Sequence, residues 1–371
     1  MFELLKKTPI GRRGKILTAH GAIETPFFMP VATSGAMRGI SHRELLELGA
    51  EILLCNTYHF SLRPGVEVVE KAGGLHEFIG WQKPILTDSG GYQVFSLRHT
   101  SVVDDRGVEF RNHLDGNLHF LGPEEATIIQ HKLSADMIMC FDECPPSKAS
   151  RGEIERAVDR TLRWAKKCKE VHEHLCHAEE RGQEASRLEA HRAEGAEGPL
   201  LFGIVQGGLH FDLRKKCTEE LIAIGFDGYA IGGLAVGESP EEMYGVVEEI
   251  APLLPENAPR YLMGVGELSQ LKKCIALGMD MFDCVLPVRE ARHGKILLSD
   301  GSSMNITRAE YREDYSPIDP NSPSIFSRTH TKSYLRHLFQ VKERYAETIA
   351  IMQNLGVTLA FFQALQREMG T

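Results

Sequence analysis

No apolar run in this 371-residue chain approaches the roughly 20 residues that a membrane-spanning helix needs, so no membrane association is expected. The opening residues, MFELLKKTPIGRRGK, contain no signal-peptide core, and a cytoplasmic protein is the simplest expectation. The eight cysteines (55, 140, 144, 168, 176, 217, 274 and 284) follow no framework spacing, and several sit in apolar runs. Reduced thiols are therefore expected rather than disulfides. Positive charge is also in short supply: 42 Lys and Arg stand against 51 Asp and Glu, a net charge of −9. That excludes a surface that coats nucleic acid indiscriminately, but not a local basic groove. No G-x-G-x-x-G follows the first predicted strand, which removes the signature of a dinucleotide-binding sheet.

What is present is an alternation. Short apolar segments with polar or glycine-containing tips recur at 27–32, 51–57, 84–91, 136–144, 200–208, 228–237, 260–266 and 280–287. Amphipathic stretches such as SHRELLELGAE and DLRKKCTEELIAIG lie between most of them. Eight strands alternating with helices predict an α/β fold, a (β/α)8 TIM-type barrel forming one domain over 1–371, with an open doubly wound sheet as the rival. Two segments break the rhythm. Residues 165–198 are highly charged and read as a long solvated helix ending in a flexible loop. Residues 298–345 follow the eighth strand and read as an insertion subdomain before the last helix.

In such barrels the chemistry gathers at the carboxyl ends of the strands. Here those ends carry Asp88 with Tyr92 and Gln93, Asp142 with Cys144, Gln206, Gly233 with Leu234, Met263, and Asp283. The eighth strand is followed by Arg289, Arg292, His293 and Lys295. Three carboxylates thus point at one mouth, where each can act as nucleophile, proton carrier or hydrogen-bond acceptor. Paired carboxylates around a sugar carbon suit glycosyl transfer through a covalent intermediate. Glycines let a flat ring approach the backbone, and the cations suit phosphates. Taken singly, each residue has a bland reading: an Asp at a strand end as a helix cap, a glycine pair as turn punctuation, a cysteine as a small core hydrophobe.

The motifs NTYHFSLRPG, TDSGGYQVFSL, HLDG, FDEC, LFGIVQGG, GFDGYAIGGLAVGE, YLMGVG and FDCVLPVREARHG occur in this order. Together they strongly resemble the queuine/archaeosine tRNA-guanine transglycosylases in their bacterial form, from about residue 3 to 365. The resemblance implies exchange of the wobble guanine of GUN-anticodon tRNAs (those for Asp, Asn, His and Tyr) for a 7-deazaguanine, with 7-aminomethyl-7-deazaguanine favoured. It implies no ATP or redox cofactor, and a homodimer. By motif, Asp283 matches the nucleophile and Asp88 the general acid/base. Asp142, Gln206, Gly233 and Leu234 match the base-reading groups, and Tyr92 and Met263 the two faces that sandwich the ring. Arg289 and Arg292, with His293 and Lys295 beside them, match the anticodon-loop contacts. Cys144 and Val236 match positions that favour the small base; Val205 and His293 depart from the bacterial pattern. A queuine-inserting variant, a non-catalytic tRNA-binding subunit and an enzyme acting on a free nucleoside are the alternatives.

One departure stands out. The family pattern D-P-x-C-x-C-x-x-C, completed by a distant histidine, implies a zinc site. Here Ser322, Ser324, Ser327 and Gln353 stand at those positions, and no cysteine follows Cys284. Hydroxyls and an amide do not hold Zn²⁺ against water. The expectation is a metal-free, folded subdomain, with His330 and His337 as surface groups and Tyr334, Leu335, Leu338 and Phe339 packing it. His172, His174, Cys176 and His177 offer a second ligand-like grouping. On a solvated helix they read as surface residues, so no metal is expected there.

Overall fold

A computed structural model of the chain describes residues 1–96, 101–146, 148–180 and 198–370. Its centre is a sheet of eight parallel strands: β1 Phe27–Met29, β2 Leu53–Cys55, β3 Ile85–Thr87, β4 Met137–Met139, β5 Leu200–Val205, β6 Gly228–Ile231, β7 Arg260–Leu262 and β8 Met281–Asp283. Each falls within one of the eight predicted segments. The hydrogen-bonded order is β1-β8-β7-β6-β5-β4-β3-β2. A parallel bridge between Val31 and Leu54 joins the two ends and closes the barrel.

These strands are short and apolar because both faces are covered. Their inward side chains, among them Met29, Leu54, Met137, Phe202, Ile204, Tyr261 and Met281, form one buried cluster. Ile16 and Ile23 complete it. They come from an antiparallel sheet of Phe2–Thr8, Gly11–Thr18 and Gly21–Thr25. That sheet plugs the amino-terminal end of the barrel, where Asp136, just before β4, accepts the His20 amide at 3.1 Å and the Ile85 amide at 2.9 Å. Asp280, just before β8, is structural: it is fully buried beside Arg12 and accepts the Arg260 amide at 2.9 Å. With this end sealed, the carboxyl ends of the strands are left for the site.

Three expectations about the secondary-structure elements need correction. The charged segment is not a solvated helix. Helix Arg151–Glu180 buries Ile154, Val158, Leu162, Trp164, Ala165, Cys168 and His172 along one stripe, packed on helices Pro123–Lys132 and Phe211–Ile224. Its charges decorate the opposite face; the loop expected at its end falls at 181–197, outside the described residues. The last helix, Arg344–Gly370, is long and apolar enough to cross a membrane by length and composition, so the expectation that no segment reaches that length does not hold. Yet 72% of its apolar window is buried within the molecule, as befits a core helix. Finally, a three-stranded sheet of Ser101–Val103, Val108–Arg111 and Leu118–Leu121 follows the third strand, where none was expected.

The segment after β8 folds as an antiparallel ribbon, Lys295–Leu297 with Ser303–Asn305, and then as helices Ile325–Thr329 and Lys332–Gln340 against the last helix. Leu335 and Leu338 are buried and Phe339 partly so, but Tyr334, expected to pack with them, is exposed on the outer face of its helix; His337 is exposed as expected, whereas His330, expected at the surface, is half-buried with its ring bonded to the Tyr345 hydroxyl at 3.0 Å. Ser322, Ser324, Ser327 and Gln353 are all within 2% of full burial. What joins them to the ribbon is polar. Asp319 accepts the Ser299 amide at 2.8 Å, the Ser299 hydroxyl at 2.6 Å, the Asn321 amide at 3.0 Å and Gln353 Nε2 at 2.9 Å. Burial pushes the Asp319 carboxyl up, but these donors outweigh it and hold it below the ordinary carboxylate range. Ser324 Oγ, Ser327 Oγ and Gln353 Oε1 are buried without a hydrogen-bond partner among the described residues. Three hydroxyls and an amide are a hard, neutral donor set that does not fit Zn²⁺.

Candidate active site

The tips after β2, β3, β4, β5, β6, β7 and β8 line one cavity of about 410 Å³ at the open end of the barrel. Its wall includes Asp88, Tyr92, Asp142, Cys144, Gln206, Gly233, Leu234, Val236, Met263, Asp283 and Arg289. Every predicted catalytic and base-contacting residue therefore reaches the same space. Its size is in the range of small-molecule sites. Of the four predicted RNA-contacting residues, only Arg289 lines it. Arg289 and Arg292 lie on helix Leu286–Arg292; His293 follows at its end, and Lys295 pairs with Glu290 at 3.1 Å.

The three carboxylates differ in their surroundings, and the differences suggest separate roles. Asp283 closes β8. Both of its hydrogen bonds, from the Tyr261 hydroxyl at 2.6 Å and the Gly264 amide at 3.0 Å, fall on Oδ1. No other described residue donates to Oδ2. Burial raises the Asp283 carboxyl, and the Tyr261 and Gly264 donors partly restrain it.

Asp88 is the opposite case. Oδ1 accepts the Thr57 amide at 2.9 Å and the Gly90 amide at 3.2 Å; Oδ2 accepts Gln93 Nε2 at 2.8 Å and Asn56 Nδ2. Burial nonetheless lifts it to about 6, against the pull of these four donors. A carboxyl near 6 exchanges a proton readily around neutrality. Each oxygen already accepts two bonds, so a ligand that gives a proton to Asp88 takes the place of a donor. Two of these donors, Asn56 and Gln93, are side-chain amides, which can move without a change of backbone; the other two are backbone amides.

Asp142 is buried and takes one side-chain bond, from Gln206 Nε2 at 2.7 Å. Burial pushes it to about 6 as well, opposed by Gln206. Gln206 Oε1 is buried without a hydrogen-bond partner among the described residues. Both residues line the cavity, and the pair carries unused acceptor capacity, the complement of a ring edge that carries N–H groups. The loop after β6 frames the pair. Gly233 has φ +64, and a Cβ there would collide with Gln206 Oε1. Ala235 also has a positive φ, +59, and its amide is held by Glu238, which accepts the Val236 amide at 3.2 Å as well.

Several supporting residues were not anticipated. Asn56 and Thr57 orient Asp88, Tyr261 orients Asp283, and Glu238 fixes the β6 loop. Arg214 is fully buried and donates to the carbonyls of Gly208 at 2.8 Å, Val205 at 2.9 Å and Gly232 at 2.8 Å, tying the β5 and β6 tips together.

Comparison with known proteins agrees with this geometry. The family model described as queuine tRNA-ribosyltransferase matches residues 7–370. The chain is 46% identical over 355 residues to the queuine tRNA-ribosyltransferase of Halothermothrix orenii, covering 96% of this chain and 89% of that one. It is 48% identical over 344 residues to that of Solidesulfovibrio magneticus, covering 93% and 87%. It is 47% identical over 354 residues to that of Nitratidesulfovibrio vulgaris, covering 95% and 89%. With a family match and relatives this similar over nearly its whole length, the chain belongs to the queuine tRNA-ribosyltransferases, the tRNA-guanine transglycosylases of queuosine biosynthesis.

Proposed function

We propose that this enzyme replaces the wobble guanine of GUN-anticodon tRNAs with a 7-deazaguanine, 7-aminomethyl-7-deazaguanine in preference to queuine. Asp283 Oδ2 attacks ribose C1′. The C1′–N9 bond breaks, and guanine leaves with the bonding pair and a proton from Asp88, giving an aspartyl-ribosyl RNA. The incoming base gives its N9 proton to Asp88 and attacks C1′, and the Asp283 carboxylate departs. Asp142, Gln206, and the backbone of Gly233 and Leu234 read the edge of the base, while Tyr92 and Met263 cover its faces. Arg289, Arg292, His293 and Lys295 meet the anticodon loop, which offers one extruded base to the cavity.

The observation that carries this reading is the unequal environment of Asp88 and Asp283 in one cavity. One carboxyl is held by four donors near the pH of a proton carrier; the other has an oxygen to which no other described residue donates. Cys144 and Val236 on the cavity wall support the smaller base. The test is incorporation of labelled guanine into an unmodified GUN tRNA. Wild-type protein incorporates it and Asp283→Asn does not; incorporation surviving in Asp283→Asn refutes the nucleophile assignment. Competition between the aminomethyl base and queuine on one tRNA tests the choice of base, and preferential use of queuine overturns it. The reading includes a cytoplasmic homodimer with no zinc at the serine loop. Sedimentation as a monomer at micromolar concentration refutes the dimer.

A further inference from the structure

A second grouping of reactive side chains lies away from the cavity. Helices Pro123–Lys132 and Arg151–Glu180 pack together, and near their carboxyl-terminal ends His131, His172 and Cys176 converge. One ligand atom from each lies within 4.8 Å of the other two. His131 Nε2 is 3.0 Å from His172 Nδ1, and Cys176 Sγ lies against the His172 ring, 3.9 Å from Nδ1 and 3.8 Å from Nε2. Zn–N and Zn–S bonds of about 2.05 and 2.3 Å set tetrahedral edges of about 3.4 Å between nitrogens and about 3.6 Å between nitrogen and sulfur. Two of the three separations lie near those edges and the third, between His131 and Cys176, is within 4.8 Å, so closing the three donors around an ion requires the His172 ring and the Cys176 side chain to turn toward it.

The helix geometry accounts for the selection. His172 and Cys176 are one turn apart and share a face, and His172 is buried against the neighbouring helix. His174 and His177 are exposed. The helix thus has one buried stripe, which removes the reason for treating its histidines and cysteine as surface groups. The chain that returns to the barrel at Gly198 crosses over this thiol: Gly198 has φ +51, and a Cβ there would come within 2.9 Å of Cys176 Sγ. Both helices run back from the cavity end of the barrel, so the cluster sits remote from Asp88, Asp142 and Asp283.

We propose that His131, His172 and Cys176 form a binding site for a borderline-soft divalent cation, Zn²⁺ by type, with water at the fourth position. His131 binds through Nε2 with its proton on Nδ1, and His172 through Nδ1 with its proton on Nε2. Cys176 binds as thiolate, releasing its proton to solvent. The ion staples the two helices at the base of the charged segment and takes no part in base exchange.

The experiment uses tag-free, freshly reduced full-length protein titrated with Co²⁺ as the optical probe. One equivalent is expected to give thiolate-to-cobalt charge transfer and the ligand-field bands of a four-coordinate ion, both abolished by Zn²⁺. Cys176→Ser is expected to remove the charge-transfer band. His131→Gln is expected to weaken Co²⁺ at least about tenfold, a loss that even outer-shell partners can cause. Zn²⁺ should raise the Tm of the wild type and of neither variant. Circular dichroism and guanine exchange confirm that the variants are folded, so a lost signal is a lost ligand. Absence of the charge-transfer band from wild-type protein, or its persistence in Cys176→Ser, overturns the proposal.

Discussion

Replacing Asp142 with asparagine should make the protein more stable and less active, and the stability gain should grow with pH. The side chain is buried and accepts one bond, from Gln206 at 2.7 Å. Asparagine has the same shape and can still accept that bond through its carbonyl oxygen. What it removes is a charge. Burial raises the folded-state carboxyl from an ordinary value of 3.8 to about 6. A raised carboxyl favours the folded state only while it is protonated. That contribution is complete below the unfolded value and is lost as pH rises through about 6. Above that, the ionised group disfavours folding by about 3 kcal/mol, at about 1.4 kcal/mol per unit over about two units. For 371 residues, an unfolding entropy of about 2.1 cal/mol/K per residue converts this to about 4 °C in Tm. Scanning fluorimetry of both proteins should therefore show a Tm difference near zero at pH 4 and about 4 °C in favour of Asp142→Asn at pH 8. Exchange should fall about 100-fold or more, because a site built to accept N–H groups would present one of its own. A variant less stable than wild type at pH 8, or one whose Tm difference ignores pH, would refute the reasoning that the Asp142 charge is held for binding at a cost in stability.

Tyr261→Phe removes the hydroxyl that donates to Asp283 Oδ1 at 2.6 Å. A charge-assisted bond is worth about 1.5–3 kcal/mol, so single-turnover exchange should slow about tenfold or more with little change in KM; an unaltered rate sinks the positioning role. Asp319→Ala leaves Ser299 and Gln353 without their shared acceptor. The expected loss is about 3 kcal/mol, or about 4 °C in Tm at pH 7. Because the folded Asp319 carboxyl is lowered, its contribution is present above the ordinary range and disappears as pH falls below about 4; an unchanged Tm at pH 7 would show that apolar packing alone holds the loop. Glu238→Ala frees the amides of Ala235 and Val236, and should raise KM for the incoming base while Tm stays within about 1 °C; a Tm loss without a KM change would make Glu238 merely structural.

The barrel was readable because its strands are short apolar runs with polar tips, and a barrel concentrates function at those tips. Asp88, Asp142, Gln206 and Asp283 could be picked out on that ground alone. Their supports could not, because they act across distance in the chain. The Thr57 amide reaches Asp88 31 positions on, and the Tyr261 hydroxyl reaches Asp283 22 positions on. Tyr261 sits in a strand that reads as plain core. Arg214 lies in a DLRKK run that looks like a solvated face, yet it is wholly buried and its guanidinium binds three carbonyls. The sheet at 101–121 did leave a signal: Val108 and Phe110 are buried while Glu109 and Arg111 are exposed, a period of two over only four residues.

The two ligand-like groupings show why spacing needs burial beside it. At 322, 324 and 327 the spacing of a metal loop persists and the side chains are buried, but the donors are hydroxyls, and the charge that organises the loop comes from Asp319, the aspartate of the D-P pair ahead of them. In helix Arg151–Glu180 the donors suit a metal, but the helix looked solvated because Lys and Glu dominate its composition. Composition averages over all faces of a helix, whereas coordination needs only one. A stripe that buries Trp164, Cys168 and His172 places the next turn's Cys176 beside His131 however charged the rest of the helix is. Net charge is therefore a weak reason to dismiss an i, i+4 His–Cys pair; whether that face also carries large apolar residues one and two turns away is the better criterion, and it was available in the sequence as W-x-x-x-C-x-x-x-H-x-x-x-C.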